Sequence, residues 1–218
     1  DEMDAVMIAL NQFAQNFSDE EVIKWAFVRG PVADAPIYSK ERLELQQDLI
    51  GFSDFLLSLS GMDSSMQTMQ TAYEMILDAI YLAVHNITSI LPSPISDLQW
   101  SGAAGIYPLD VIESVPPLQS FKISWRPGAE RIIIVFSDEH PQSYLVPQLT
   151  EEKVKTTVSG VPQLKLYTFS RNNNKIPWEA LAISGNGEWY KLTNNPTEMY
   201  ASLMEILDEI CKGGNDEE

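Results

Sequence analysis

The run Arg131-Ile132-Ile133-Ile134-Val135-Phe136-Ser137-Asp138-Glu139 constrains this chain more than any other stretch. From Ile132 to Phe136 every residue is β-branched or aromatic, the pattern of a strand with apolar neighbours on both faces. Such strands lie in the interior of parallel sheets, so a central strand is expected here. It ends abruptly at Ser-Asp-Glu. In open α/β sheets ligands bind just beyond the carboxyl ends of the strands, which puts Asp138 where chemistry would be placed. An aspartate after a strand also commonly caps the following turn.

The 218 residues suffice for one large α/β domain, and 44% hydrophobic with 21% charged residues is ordinary for a globular protein. Acidic residues number 31 against 14 basic ones, for a net charge of −17. That argues against nucleic acid, whose phosphates require clustered Lys and Arg. Cation binding or plain solubility suits it better. The single Cys211 excludes an internal disulfide and a multi-cysteine zinc site. His85 and His140 are too few for a histidine-rich site, so a bound metal would be Mg²⁺ or Ca²⁺ on oxygen ligands. No apolar run reaches the roughly 18 residues that span a bilayer, and no signal-peptide pattern opens the chain.

Met3, Val6, Met7, Leu10, Phe13, Ala14 and Phe17 recur at spacings of three and four, which predicts a helix over 2–17 with Asp1, Glu2 and Asp4 at its N-terminus. A strand follows at 22–28, a weaker edge strand within 42–49, a short helix at 53–59 and a loop at 60–65. The longest helix is predicted from about 70 to 90, with Tyr73, Ile76, Leu77, Ile80, Tyr81 and Val84 on its buried face. Six prolines interrupt residues 91–130, yet Trp100, Ile106, Tyr107, Leu109, Val111 and Ile112 are too apolar for a linker. An ordered insertion is the better reading. Thr150 caps a short helix to 159, a strand covers 164–169, a helix 178–183, and Gly185-Asn186-Gly187 turns into a strand at 188–192. Asn195-Pro196 starts the final helix, stopped by Gly213-Gly214. Strands alternating with helices give a doubly wound sheet.

In this order the pieces resemble a von Willebrand factor A domain, and more narrowly the inserted domain of integrin β subunits. Trp125-Arg126 ahead of Arg131–Asp138 resembles the Trp-Arg and apolar strand of that domain, ending in the same Asp. Glu74-Met75-Ile76-Leu77-Asp78-Ala79-Ile80 resembles its Glu-x-x-apolar-Asp-Ala-Ile, in which the Glu reaches a metal. Asp1-Glu2 resembles the acidic pair that follows its Asp-x-Ser-x-Ser motif and binds an adjacent ion. The resemblance implies an α/β, doubly wound, mainly parallel sheet with helices on both faces over 1–213, carrying the insertion at 91–130 and a polar acidic tail at 214–218. The family's first strand and its Asp-x-Ser-x-Ser loop have no counterpart here. That strand is central, and its loss would leave two rows of backbone groups unpaired, each costing about a kcal/mol or more if buried. The strand is therefore expected from elsewhere: a separate fragment, a partner subunit, or residues upstream of Asp1.

By the same resemblance, the chemistry is that of a metal-ion-dependent adhesion site, where a partner carboxylate completes the shell of Mg²⁺ or Ca²⁺. Asp138 is the ligand from the third loop, and Glu74, or Thr68 or Thr71 in its place, from the second. Asp63, with Ser64 and Ser65 on the same second loop, contributes through water, Asp1 and Glu2 serve an adjacent ion, and Ser64, Ser65, Glu139 and His140 form the partner-binding rim. Glu74 reads equally well as a first-turn acid favoured by the helix dipole. No nucleophile motif, phosphate loop or zinc-protease signature accompanies Asp138-Glu139-His140, so an enzyme is not expected. The expected function is a cation-dependent protein-binding module, extracellular, periplasmic or surface-borne. Two competitors stand beside it: a metal-free A-like scaffold that docks another chain through the gap in its sheet, and an accessory subunit of a chelatase-like complex.

Overall fold

The computed structural model describes residues 2–15, 23–29, 44–51, 76–88, 99–101, 112–114, 123–143, 145–146 and 149–213. Helix α1 (Glu2–Gln15) opens with Glu2 and Asp4 in its first turn and buries Ala5, Val6, Ala9, Leu10 and Phe13. Strands β1 (Trp25–Arg29) and β2 (Glu44–Ile50) pair antiparallel, with an irregular register around Phe27. Helix α2 (Ile76–Thr88) is followed by the short strands β3 (Gln99–Ser101) and β4 (Ile112–Ser114). The apolar run forms β5 (Arg131–Phe136), and β6 (Leu145–Val146) lies beyond it.

The remaining chain alternates regularly. Helix α3 (Glu151–Ser159) starts at Thr150, whose hydroxyl accepts from the Lys153 N–H at 3.2 Å. Strand β7 (Leu164–Ser170), helix α4 (Lys175–Ser184), strand β8 (Trp189–Lys191) and helix α5 (Pro196–Gly213) complete it. Asn195 caps α5: its Oδ1 accepts from Thr197 N–H at 3.1 Å while its amide donates to Glu198. The first satisfies a backbone N–H that a helix start leaves open, and the second holds the capping side chain in place.

β5, β7 and β8 form a parallel sheet in that order, and the period of two sends alternate side chains to opposite faces. On one face Ile133, Val135, Leu164 and Leu166 meet Leu77, Ile80 and Val84 of α2, Val154 and Val158 of α3, and Trp178 and Leu181 of α4. On the other, Ile132, Ile134, Phe136, Tyr167 and Phe169 meet the apolar stripes of α1 and α5. Phe169 stacks between Phe136 and Tyr190, at ring separations of 4.7 and 5.2 Å. The protein is thus mixed α/β, with helices on both faces of a small parallel sheet.

Several sequence expectations are corrected. The middle strand among the described residues is β7, whose residues are buried almost throughout, whereas β5 pairs with a described strand on one side only. Part of the 91–130 segment forms a separate antiparallel sheet in the order β4-β3-β6. Helix α4 begins at Lys175 instead of 178, because a 3-10 turn at Asn172–Asn174 runs into it and Pro177 is tolerated in its first turn. The expected helix at 53–59, the loop at 60–65 and the tail at 214–218 lie outside the described residues. No described helix is long and apolar enough to cross a membrane.

Candidate functional site at the carboxyl ends of the sheet

Phe136 stands beside Phe169 in the parallel register of β5 and β7. Two residues further the same register sets Asp138 beside Arg171. Ser137 closes β5: it is buried, its N–H donates to Phe169 O at 3.0 Å, and its hydroxyl oxygen accepts from Glu139 N–H at 3.2 Å. Side chains from the next crossover hold the turn. Asn174 Nδ2 donates to the Asp138 carbonyl at 3.0 Å, and the indole Nε1 of Trp178 donates to the Glu139 carbonyl at 2.9 Å. The backbone carrying the acids is therefore fixed by named donors.

Arg171 joins those acids to α1. Its Nε lies 2.8 Å from Glu2 Oε1 and its Nη2 3.0 Å from Glu2 Oε2, a two-point fork. The same Nη2 reaches Asp138 Oδ2 at 2.9 Å. The three side chains keep 29–41% of their surface exposed, so solvent screens them in part. The hydrogen bonds from Arg171, opposed by partial burial, hold the Glu2 carboxyl below the usual carboxylate range. Arg171 is held protonated beyond its ordinary value, first by Glu2 and, among charges, by Asp138.

The structure brings Glu2 and Asp138 together around Arg171, a residue that sequence reasoning passed over. Glu139 and His140 border the cluster; the His140 ring is 55% exposed, with Nδ1 3.9 Å from Glu151 Oε1. Asp1, Asp63, Ser64, Ser65, Thr68, Thr71 and Glu74 lie outside the described residues. Among the described residues no three His, Cys, Asp or Glu side chains gather into a group that could hold a metal ion. Asp138 Oδ2 is turned into a guanidinium, so the described side chains fit an internal counter-charge and not the oxygen shell of a hard ion. The signal available in the sequence was indirect: in a parallel sheet, the residue after one strand neighbours the residue after the next.

Two other polar features are structural. Buried Asp78 accepts from the Ser143 hydroxyl, which accepts from Leu149 N–H at 3.0 Å, while Leu77 N–H donates to Gln142 O at 3.1 Å. These contacts tie α2 to the segment after β5. An open groove of about 680 Å³ runs between β8 and α5, lined by Glu188, Tyr190, Tyr200, Met204, Glu205 and Asp208 among others. It is acidic and aromatic, without a basic side chain among its lining residues. No family profile matches this chain, and no curated protein or solved structure shows significant similarity to it.

Proposed function

We propose that this chain is a protein-binding module of the von Willebrand A type that accepts an extended segment between β1 and β5. The observation that carries the reading is a shared core without a shared ladder. Val28 of β1 packs into the same cluster as Ile133 and Val135 of β5, and Trp25 into the same cluster as Ile132, Ile134 and Phe136. Yet β1 and β5 belong to different sheets. Arg131 N–H donates to Gln163 O at 2.9 Å and Ser137 N–H to Phe169 O at 3.0 Å. The period of two then turns the amides of Ile133 and Val135 toward β7 and those of Ile132, Ile134 and Phe136 away from it. A strand of alternating apolar residues laid along that edge would use those amides and place side chains in both clusters. It would complete a doubly wound sheet, and a partner protein, a separate fragment or a neighbouring segment of the same polypeptide could supply it.

Amide exchange on the isolated chain tests this. The expected result is fast exchange at Ile132, Ile134 and Phe136 beside protected Ile133 and Val135. Equal protection of both sets would mean that the edge is already filled, and the reading would fall.

The second reading, a cation-dependent module that recognises a partner carboxylate, rests on Asp138 standing just past the carboxyl end of β5. Calorimetric titration with Mg²⁺ and Ca²⁺ separates the two. Heat that disappears in Asp138→Ala supports the ion, and no heat supports the strand-docking scaffold.

A further inference from the structure

We propose that Arg171 is a built-in cation, whose guanidinium supplies the counter-charge that Glu2 and Asp138 would otherwise draw from a divalent ion. This inference rests on the geometry of the three side chains and not on the strand-docking reading, so the two can fail separately.

The geometry carries it in three steps. First, the guanidinium is placed by backbone and not by chance: Arg171 directly follows the last residue of β7, and the register of β5 and β7 delivers Asp138 to its side. Second, the contacts match the chemistry of arginine. One edge of the fork engages both oxygens of Glu2, and Nη2 is shared with Asp138, so one cation serves two carboxylates from elements far apart in sequence. Third, the alternative is blocked where it would begin. A Mg²⁺ or Ca²⁺ ligand must approach the ion at about 2.0–2.6 Å, and Asp138 Oδ2 already has a positive group at 2.9 Å. A hard ion would have to displace the guanidinium from Asp138 before coordinating that oxygen.

The arrangement also has a mechanical result. Helix α1 packs Ala5, Val6, Ala9, Leu10 and Phe13 into the core, and the fork on Glu2, its first residue, ties its N-terminal end to the sheet. Arg171 is therefore a positioning residue as well as a counter-charge, and it orders this end of the molecule without a metal.

The test is thermal unfolding of the whole chain in chelator and in millimolar MgCl₂ or CaCl₂, for the wild type, R171Q, D138N and R171Q/D138N. The wild-type Tm is expected to ignore both ions. R171Q is expected to melt about 2–4 °C lower in chelator and to regain stability with either ion. That regain should vanish in R171Q/D138N. A wild-type Tm that rises with either ion and loses the rise in D138N overturns the proposal, because the ion then outcompetes the guanidinium. An R171Q protein that ignores both ions overturns it as well, because the acids then need no replacement cation. If R171Q fails to fold, R171M carries the same test: it keeps the length of the side chain without the charge, and a rise in Tm with either ion is expected. R171M insensitive to both ions would be the contrary result.

Discussion

The indole Nε1 of Trp178 donates to the main-chain carbonyl of Glu139 at 2.9 Å, so a fully buried side chain of α4 holds the turn that follows β5. The bond reaches across a parallel crossover from the core to the surface. It explains why Asp138 and Glu139 occupy defined positions although both are partly exposed.

Replacing Trp178 with Phe removes that donor, leaves the Glu139 carbonyl without it and empties part of the indole volume. The expected cost is about 1–3 kcal/mol, read from the urea midpoint. The reach of Arg171 to Asp138 should loosen with it, visible as a broadened Arg171 side-chain resonance. An unchanged midpoint would show that the turn is held by other contacts.

Ser143→Ala isolates the buried polar link. Leu149 N–H and Asp78 Oδ1 both lose a partner in a site closed to solvent. About 1–3 kcal/mol should be lost with these two buried hydrogen bonds. Asp78→Asn, which preserves shape and can still accept from Ser143, should cost less than Ser143→Ala; the reverse order would count against this account.

Gly187→Ala should be among the more damaging single-methyl additions. A Cβ there would stand 2.7 Å from the Leu166 carbonyl carbon and closer still to its oxygen, both main chain of the central strand. The strand cannot yield without breaking its ladder to β5, so a loss of about 1–3 kcal/mol or poor expression is expected. Asn186→Gly in the same turn should be tolerated, because Asn186 already sits at φ 54°, where glycine is at ease. Equal stability of Gly187→Ala and wild type would disprove the close approach.

Acid should weaken the tie between α1 and the sheet. Glu2 has its folded value depressed below 4.5, so its contribution is present above 4.5 and is lost as pH falls through the lower folded value. Urea midpoints followed from neutral pH to well below 4.5 should fall less steeply in E2Q than in wild type. Parallel slopes would remove Glu2 from the acid response.

In alkali the order reverses. Burial raises the hydroxyls of Tyr81, Tyr167 and Tyr190, with Glu209 adding to the effect at Tyr167 and Glu205 at Tyr190. The folded state holds these protons, so their contribution is intact below 10.0 and declines as pH climbs past it. Tyrosinate absorbance of the folded protein should therefore leave a late-titrating fraction that Tyr190→Phe reduces. A signal complete near 10.0 with the fold intact would contradict this.

Local grammar made much of the fold legible. Asn195-Pro196 and Thr150 marked helix starts because capping is chemistry within three or four residues, and β5 and β7 declared themselves through unbroken apolar character. The β4-β3-β6 sheet was not legible, since three strands of two or three residues among prolines carry no period to count. The start of α4 was missed for a related reason: Asn172-Asn173-Asn174 reads as loop until the 3-10 turn is seen to run on into it. At the candidate site, Asp138 was legible as the acid at a strand end. Its partner Arg171 was not, because the two become neighbours only through the register of β5 and β7, and Glu2, 169 positions from Arg171, joins them only once α1 lies across the sheet.

That placement of α1 also sets an order of events. Its apolar stripe rests on Met199, Leu203, Ile206 and Leu207 of α5, at the opposite end of the described chain. A ribosome adding about 5–20 residues per second needs roughly ten seconds or more between emitting the two helices. Throughout that interval α1 keeps part of its greasy flank uncovered, because only residues in or beside the strands, such as Trp25, Tyr167 and Phe169, precede α5 in that cluster. Newly made protein should then stay open to chaperone capture and proteases at α1 until α5 has been made.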